Sequence, residues 1–169
     1  MGLDFTRTVL ENQSLVFSLA LRFLRDRAGA EELAQDVFLQ LYRKLDEIET
    51  PMHATWWLRR AISHRCIDES RKRRLRPRIG LEAIPEPAAE SRHSDPLLNA
   101  RLRVLIEGLP ANARMVVLLR YQEDLDPTEI AQVLAVPLNT VKSHLRRSLT
   151  WMRQRCSQLQ FITAGGADD

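Results

Sequence analysis

Apolar residues recur every three or four positions along most of the chain, which is the period of amphipathic α-helices. The pattern predicts three helices in the first part, at about residues 5–25, 30–45 and 52–74. It predicts four more in the second part, at about 96–107, 111–122, 127–134 and 140–159. The stretch between them contains Pro77, Pro85 and Pro87 and no sustained period, which is typical of a flexible linker. We therefore predict an all-α protein with two helical domains (1–74 and 95–160), a linker (75–94) and a disordered tail (161–169).

Composition agrees with this fold and narrows the location of the protein. Helix-forming residues are abundant and only 6 of the 169 residues are Gly. No apolar run reaches the roughly 18 residues of a membrane span, and no export signal is evident. Cys66 and Cys156 lie far apart without a paired spacing, which favours a reducing compartment. We expect a cytoplasmic protein without membrane insertion.

Charge is unevenly distributed, and this matters more than the net charge of +3. Residues 1–50 contain six Lys or Arg and nine Asp or Glu, whereas residues 51–80 contain nine basic and two acidic residues. Residues 109–160 are basic again, with seven against four. Basic segments separated by acidic ones indicate two nucleic-acid contacts and an acidic surface for another partner.

The most specific local pattern is a helix-turn-helix near the end of the chain. Asp126 and Glu129 flank Pro127 in the arrangement of a capping box, which predicts a short helix. After a break at Val136 and Pro137, Asn139 or Thr140 is expected to cap a second helix whose buried stripe is Val141, Leu145 and Leu149. Its other faces carry small polar and basic residues, as in a helix that reads the DNA major groove. The alternative is an ordinary polar surface helix. The outward residues are Lys142, Ser143, Arg146 and Arg147.

The second predicted helix has an acidic face. Leu33, Val37, Leu41 and Leu45 form its apolar stripe, and the residues away from that stripe include an exposed leucine. A solvated surface would explain most of this face. A partner that presents Arg or Lys would also bind it. The residues away from the stripe are Glu32, Gln35, Asp36, Leu39 and Arg43.

The third predicted helix combines two adjacent tryptophans with many cations. Trp56 and Trp57 point about 100° apart on a helix, so both cannot be fully buried against one core. An exposed aromatic ring next to cations suits stacking on an unpaired base. The alternative to a nucleic-acid contact is that Trp57 packs inward and that the run of arginines is only the solvated end of the helix. The cations are Arg59, Arg60, Arg65 and a run that begins at Arg71.

Three motifs in this order resemble the sigma-70 family of bacterial RNA polymerase sigma factors, in its short extracytoplasmic-function group. Residues 29–42 (GAEELAQDVFLQLY) are similar to the core-binding helix of region 2. Residues 57–62 (WLRRAI) and 67–71 (IDESR) are similar to the helix that recognises and melts the −10 element. Residues 109–114 (LPANAR) and 126–147 are similar to region 4, which binds the −35 element.

The resemblance implies a role for each of these surfaces, without a cofactor, a metal or a catalytic residue. It implies two partners, the coiled coil of the largest subunit of RNA polymerase core and promoter DNA, and it leaves an anti-sigma factor open as a third. His64, Asn139 and His144 depart from residues common in the family, so base preference does not transfer. The implied residues are Glu32, Gln35, Asp36, Phe38 and Leu39 for core binding; Trp56, Trp57, Arg59, Arg60, His64, Asp68 and Arg71 for the −10 element; and Asn139, Thr140, Lys142, Ser143, Arg146 and Arg147 for the −35 element.

Two other classes of protein compete with this interpretation. A stand-alone helix-turn-helix regulator would share the second domain but would have no use for the acidic face or the tryptophan pair. An enzyme is disfavoured, because the four histidines (His53, His64, His93 and His144) have no metal-ligand spacing with either cysteine. No phosphate-binding loop or nucleophile motif occurs either.

Overall fold

The structure, a computed structural model, describes residues 3–75 and 96–164. These residues form seven α-helices and no strand: α1 (Phe5–Leu24), α2 (Arg27–Arg43), α3 (Pro51–Leu75), α4 (Pro96–Glu107), α5 (Ala111–Tyr121), α6 (Pro127–Leu134) and α7 (Leu138–Ala164). The all-α prediction is therefore confirmed. The predicted linker lies outside the described residues, except for Leu75 at the end of α3. No helix among the described residues is long and apolar enough to cross a membrane.

The chain divides into two compact units. In the first, each of the helices α1, α2 and α3 packs against the other two. Apolar residues one turn apart on each helix form the core, and this burial is the main term that stabilises the unit. The fully buried side chains include Val16, Leu19 and Phe23 of α1, Val37 and Leu41 of α2, and Leu58 and Ile62 of α3.

Side-chain capping explains where α1 and α3 begin. The carboxylate of Asp4 accepts a hydrogen bond from the backbone N–H of Arg7 at 3.2 Å. The hydroxyl of Thr50 accepts from the backbone N–H of His53 at 3.1 Å, so that α3 begins at Pro51. Each bond satisfies a backbone donor that has no partner within its helix.

The second helix differs from its predicted extent at both ends. It begins at Arg27 and includes Gly29, which the sequence pattern had assigned to a break. A Cβ at Gly29 would collide with the guanidinium of Arg73 and lie 2.6 Å from Oδ2 of Asp26, so tertiary contacts explain this glycine. At the other end Leu45 falls in a short 3₁₀ turn and is only half-buried, so the apolar stripe ends at Leu41.

The second unit is built on α4, α5 and α7, with α6 joining α5 to α7. Leu109, Ala113 and Val117 form a buried cluster against which Trp151 and Met152 pack. A Cβ at Gly108 would lie 2.6 Å from Cη2 of Trp151, so the corner before α5 requires a glycine.

The arginine of the LPANAR motif holds that corner together. Arg114 donates to the carbonyl oxygens of Glu107 at 2.6 Å and Leu109 at 3.2 Å, which joins the end of α4 to α5.

The last helix, α7, begins two residues earlier than the sequence pattern predicted. It also continues to Ala164, four residues into the segment predicted to be a disordered tail.

Candidate nucleic-acid and protein interfaces

The outer face of α2 carries the residues that the sequence analysis assigned to a protein partner. Glu32, Gln35 and Leu39 are exposed, and 56% of the surface of Leu39 is accessible. Asp36 and Phe38 are half-buried. This face therefore presents acidic, amide and apolar groups together, a composition suited to a protein partner.

Asp36 already has a partner within the first unit. Its Oδ2 accepts a hydrogen bond from Nη2 of Arg65 at 2.6 Å, and the two side chains remain 44% and 35% exposed. Arg65, which the sequence grouped with the cations of a DNA-binding face, therefore lies against α2. The ion pair holds the Asp36 carboxylate in one orientation while leaving nearly half of it accessible.

A groove between α1 and α2 extends the same face. It encloses about 570 Å³, and both Gln35 and Phe38 line it. Arg27 lies at one end, with its guanidinium carbon 5.8 Å from the centre of the Phe17 ring. This groove could not be predicted from the sequence, because the period of one helix does not reveal which residues of another helix lie beside it. Its other lining residues are Val9, Gln13, Ser14, Glu31 and Ala34.

A second cleft, of about 260 Å³, lies between α2 and α3 and is lined mainly by charged side chains. Arg73 crosses it and binds Asp26 at 2.8 Å and Glu69 at 2.9 Å. Partial burial works against the ionised form of Asp26, but the backbone amide of Gly29 and the guanidinium of Arg73 outweigh it and lower the pKa of Asp26. Within the basic run of α3, Arg73 is therefore structural.

The tryptophan pair lies near the start of α3. Trp56 and Trp57 are both half-buried, so neither is a full core residue. The guanidinium carbon of Arg60 lies 5.5 Å from the centre of the Trp56 ring, within cation–π range. The structure thus brings a partly accessible aromatic ring and a cation together.

The remaining candidates on α3 differ in accessibility. Arg59 and His64 are half-buried, whereas Asp68 and Arg71 are exposed. Asp68 and Arg71 approach to 3.6 Å with about 60% of each side chain accessible, which is too exposed a pair to stabilise the fold much. Arg71 is consequently available to a polyanion.

In the second unit, the predicted capping box is confirmed. Oδ1 of Asp126 accepts from the backbone N–H groups of Thr128 at 2.7 Å and Glu129 at 2.9 Å. The Glu129 carboxylate accepts from the backbone N–H of Asp126 at 2.7 Å. The turn after α6 contains Ala135 with a φ of 53°, a left-handed conformation that costs a residue with a Cβ about 1–2 kcal/mol.

The start of α7 corrects one expectation. The carbonyl of Pro137 accepts from Thr140 at 2.9 Å and from Val141 at 3.3 Å, so neither Asn139 nor Thr140 caps the helix. Both residues instead lie within its first turn, where Asn139 is exposed and Thr140 is half-buried. The position of Asn139 places its side chain at the N-terminal end that a recognition helix directs at base edges.

The rest of α7 partly follows the predicted stripe. Val141 is buried, but Leu145 and Leu149 are only half-buried, and the buried neighbour on that side is Ser148. Lys142, Arg146 and Arg147 are exposed and Ser143 is half-buried. The cations of this helix therefore reach solvent, as contacts to phosphate groups would require.

No group of three or more His, Cys, Asp or Glu side chains in residues 3–75 and 96–164 is arranged to hold a metal ion. Cys66 is fully buried, and burial raises the pKa of its thiol to about 12, which leaves almost no reactive thiolate at neutral pH. Cys156 is exposed on α7. His93 lies outside the described residues.

Comparison with known proteins finds family models that match two separate stretches of the chain. Residues 8–76 match the family model described as Sigma-70 region 2, and residues 99–152 match Sigma-70, region 4. The chain is 30% identical over 155 residues to the RNA polymerase sigma-E factor of Streptomyces coelicolor, which covers 90% of this chain and 85% of that protein. It is 30% identical over 168 residues to the ECF RNA polymerase sigma factor SigE of Mycolicibacterium smegmatis, which covers 94% of this chain.

This chain spans only 64% of the length of the Mycolicibacterium relative. A solved structure has a similar fold with a TM-score of 0.73, namely the sigma factor RpoE in complex with the anti-sigma factor NepR from Bartonella quintana. It is 19% identical in sequence, and the match covers 89% of this chain and 95% of that chain.

Proposed function

Since the chain belongs to the sigma-70 family of RNA polymerase sigma factors, in its extracytoplasmic-function group, we propose that it binds core polymerase and directs it to specific promoters. The protein would act in the cytoplasm and catalyse no step itself, because the polymerase supplies the chemistry. The observation that carries the proposal is on α3, where the half-buried Trp56 lies beside Arg60 on a helix that is not part of the helix-turn-helix.

Polymerase binding is assigned to the outer face of α2. The face exposes Glu32, Gln35 and Leu39 beside the partly accessible Asp36, and Phe38 lines the adjoining groove. A helical coiled coil of the largest polymerase subunit that carries Arg or Lys would meet the carboxylates, while its apolar side chains would enter the groove. An anti-sigma factor is a further proposed partner.

Promoter recognition is divided between the two units. Lys142, Arg146 and Arg147 of α7 are exposed and would bind the −35 element, together with Ser143 and with Asn139 and Thr140 at the start of the helix. On α3, the residues assigned to the −10 element would hold the separated strand. Stacking of one base on an aromatic ring contributes about 1–3 kcal/mol, comparable with the few kcal/mol that extrusion of a base costs.

A transcription assay with core polymerase tests the proposal. We expect the wild-type protein to start transcription at a specific promoter and to make thymines near −10 reactive to permanganate. Trp56→Ala combined with Trp57→Ala should impair opening more than closed-complex binding, and a template with a preformed mismatch bubble should partly restore initiation. Tyr121→Ala, at an exposed aromatic residue outside α3, serves as the matched control.

A stand-alone regulator is the alternative that the same samples distinguish. Such a protein would bind duplex DNA tightly without polymerase and would support no initiation. The proposal would be contradicted if the protein bound duplex DNA tightly without polymerase and its mixtures with core polymerase started no transcription. Unfolding of the double tryptophan variant would show instead that the pair belongs to the core.

A further inference from the structure

A partly buried hydrogen bond joins α1 to the first turns of α3. Asn12 is only 4% exposed, and its Oδ1 accepts from the hydroxyl of Thr55 at 2.8 Å. Its Nδ2 donates to the carbonyl of Thr8, also at 2.8 Å. The amide of Asn12 thus has a partner on each side, one within its own helix and one on α3.

This polar pair lies at the end of an apolar stretch. On α1, Val16 and Leu19, one and two turns after Asn12, are fully buried, and on α3 Leu58, one turn after Thr55, is fully buried as well. For stability alone, two apolar residues of similar shape would serve about as well, because a typical buried hydrogen bond has a small net value. Apolar contacts have no preferred direction, however, whereas a hydrogen bond fixes the angle and distance between its two groups.

The bond lies directly beside the tryptophan pair. Thr55 precedes Trp56 in the chain, and Arg60 lies against the Trp56 ring one turn later. Side chains extend about 5–6 Å from a helix axis, so rotating α3 by about 20° would move their tips by about 2 Å. A displacement of that size is enough to spoil a site that needs a precise geometry.

We propose that Asn12 and Thr55 are positioning residues for promoter opening. Their hydrogen bond fixes the rotation of α3 about its axis and thereby aims Trp56 and Trp57 at the separating strand. The inference rests on the function proposed above and adds a role for two residues outside the set assigned to the −10 element.

Four variants test it. Thr55→Val keeps the shape but removes the donor, and Thr55→Ser keeps the hydroxyl as a matched control. Asn12→Leu combined with Thr55→Val replaces the whole polar pair with apolar groups, and Asn12→Leu alone completes the cycle. Thermal unfolding reports stability, footprinting reports closed complexes, and permanganate reactivity near −10 reports opening.

We expect the double variant to melt within a few degrees of the wild type, because no buried polar group is left unpaired. Its closed complexes should form normally, whereas the rate of opening should fall at least about tenfold, a change of about 1.4 kcal/mol in the barrier. Initiation on a preformed bubble should match the wild type. Thr55→Ser should open duplex promoters at close to the wild-type rate.

Opening at the wild-type rate by the double variant would overturn the positioning role. So would an equal loss on duplex and bubble templates, since that pattern indicates a general structural defect. If the double variant does not fold, Thr55→Val is compared with Thr55→Ser below the melting temperatures of both. A lower ratio of open to closed complexes in Thr55→Val supports the positioning role, and an equal ratio overturns it. If the wild-type protein itself starts no transcription, the proposed function fails instead.

Discussion

Replacing Asp36 with Ala would separate the structural and the binding roles of one carboxylate. Asp36 binds Arg65 at 2.6 Å within the first unit, yet 44% of its side chain remains accessible on the face assigned to polymerase. If the face is correctly assigned, the change removes an internal ion pair and an interfacial charge together. The two losses differ greatly in expected size, so they can be measured separately.

The loss of folding stability should be small. A partly exposed ion pair contributes about 0.2–1 kcal/mol, because water screens the charges and both side chains lose conformational freedom. Truncating one partner of a buried, hydrogen-bonded charge pair at an interface costs about 2–5 kcal/mol. At about 1.4 kcal/mol for each factor of ten, the affinity for core polymerase should fall by about 30-fold to several thousand-fold.

Arg65→Ala is the matched control, because it breaks the same ion pair and leaves the carboxylate in place. It should lower the free energy of unfolding as much as Asp36→Ala does, while polymerase binding stays within about threefold of the wild type. Exchanging the two residues, as Asp36→Arg with Arg65→Asp, should restore stability but not binding. Equilibrium titration of labelled protein with core polymerase provides the affinities.

Two results would refute this reasoning. Undiminished binding by Asp36→Ala would remove Asp36 from the interface. Equal losses of affinity in Asp36→Ala and Arg65→Ala would show that the ion pair acts through the fold of α2 and α3 and not through contact with the polymerase.

Three further predictions follow from other sites. The pKa of Asp26 is lowered, so its ion pair with Arg73 should stabilise the fold above about pH 4 and lose that effect as the pH falls through the folded-state pKa. Asp26→Asn should therefore make the free energy of unfolding less dependent on pH on the acid side. An unchanged pH dependence would contradict this. Ala135→Gly should raise the free energy of unfolding by up to about 1 kcal/mol, because glycine adopts a φ of 53° without strain. Thermal unfolding should show this as a higher melting temperature. Replacing Lys142 with Ala should reduce the salt dependence of holoenzyme binding by about one phosphate contact on every promoter. Replacing Arg146 should instead remove a base contact and cost about 1–3 kcal/mol of binding free energy at one −35 position. Footprints of both variants that match the wild type would place the recognition surface elsewhere.

Local signals account for what the sequence predicted well. The Asp126 and Glu129 capping box formed as expected, because both of its hydrogen bonds connect residues three apart in the chain. The bounds of α4 and α6 were predicted to the residue for the same reason, since proline at the first position of each helix, and glycine after α4, are local instructions. Patterns of this range need no knowledge of the rest of the fold.

Contacts between distant segments account for the errors. Nothing near Gly29 in the chain shows that a guanidinium 44 positions later, on Arg73, occupies the space of its missing Cβ, so the hydrophobic pattern alone placed Gly29 in the break before the helix. The pairing of Arg65 with Asp36 is likewise invisible to helical periodicity, and Arg65 was grouped with cations that face solvent. The groove beside Phe38 exists only once α1 lies against α2.

The helical phase of α3 shows how one basic segment serves two purposes. At 100° per residue, Trp56, Arg60 and Arg71 fall within an arc of about 60°. Arg65 and Arg73 lie outside that arc, and these two arginines are the ones bound to acidic residues at the side of α2. Of the cations assigned to DNA, Arg60 and Arg71 are thus separated by phase from those that hold α3 against its neighbour, whereas Arg59 lies about 60° to the other side of Trp56, between the two groups. A change at Arg65 or Arg73 should alter stability, whereas a change at Arg60 or Arg71 should alter promoter binding. The number of positive charges in this segment therefore does not reveal the role of each arginine.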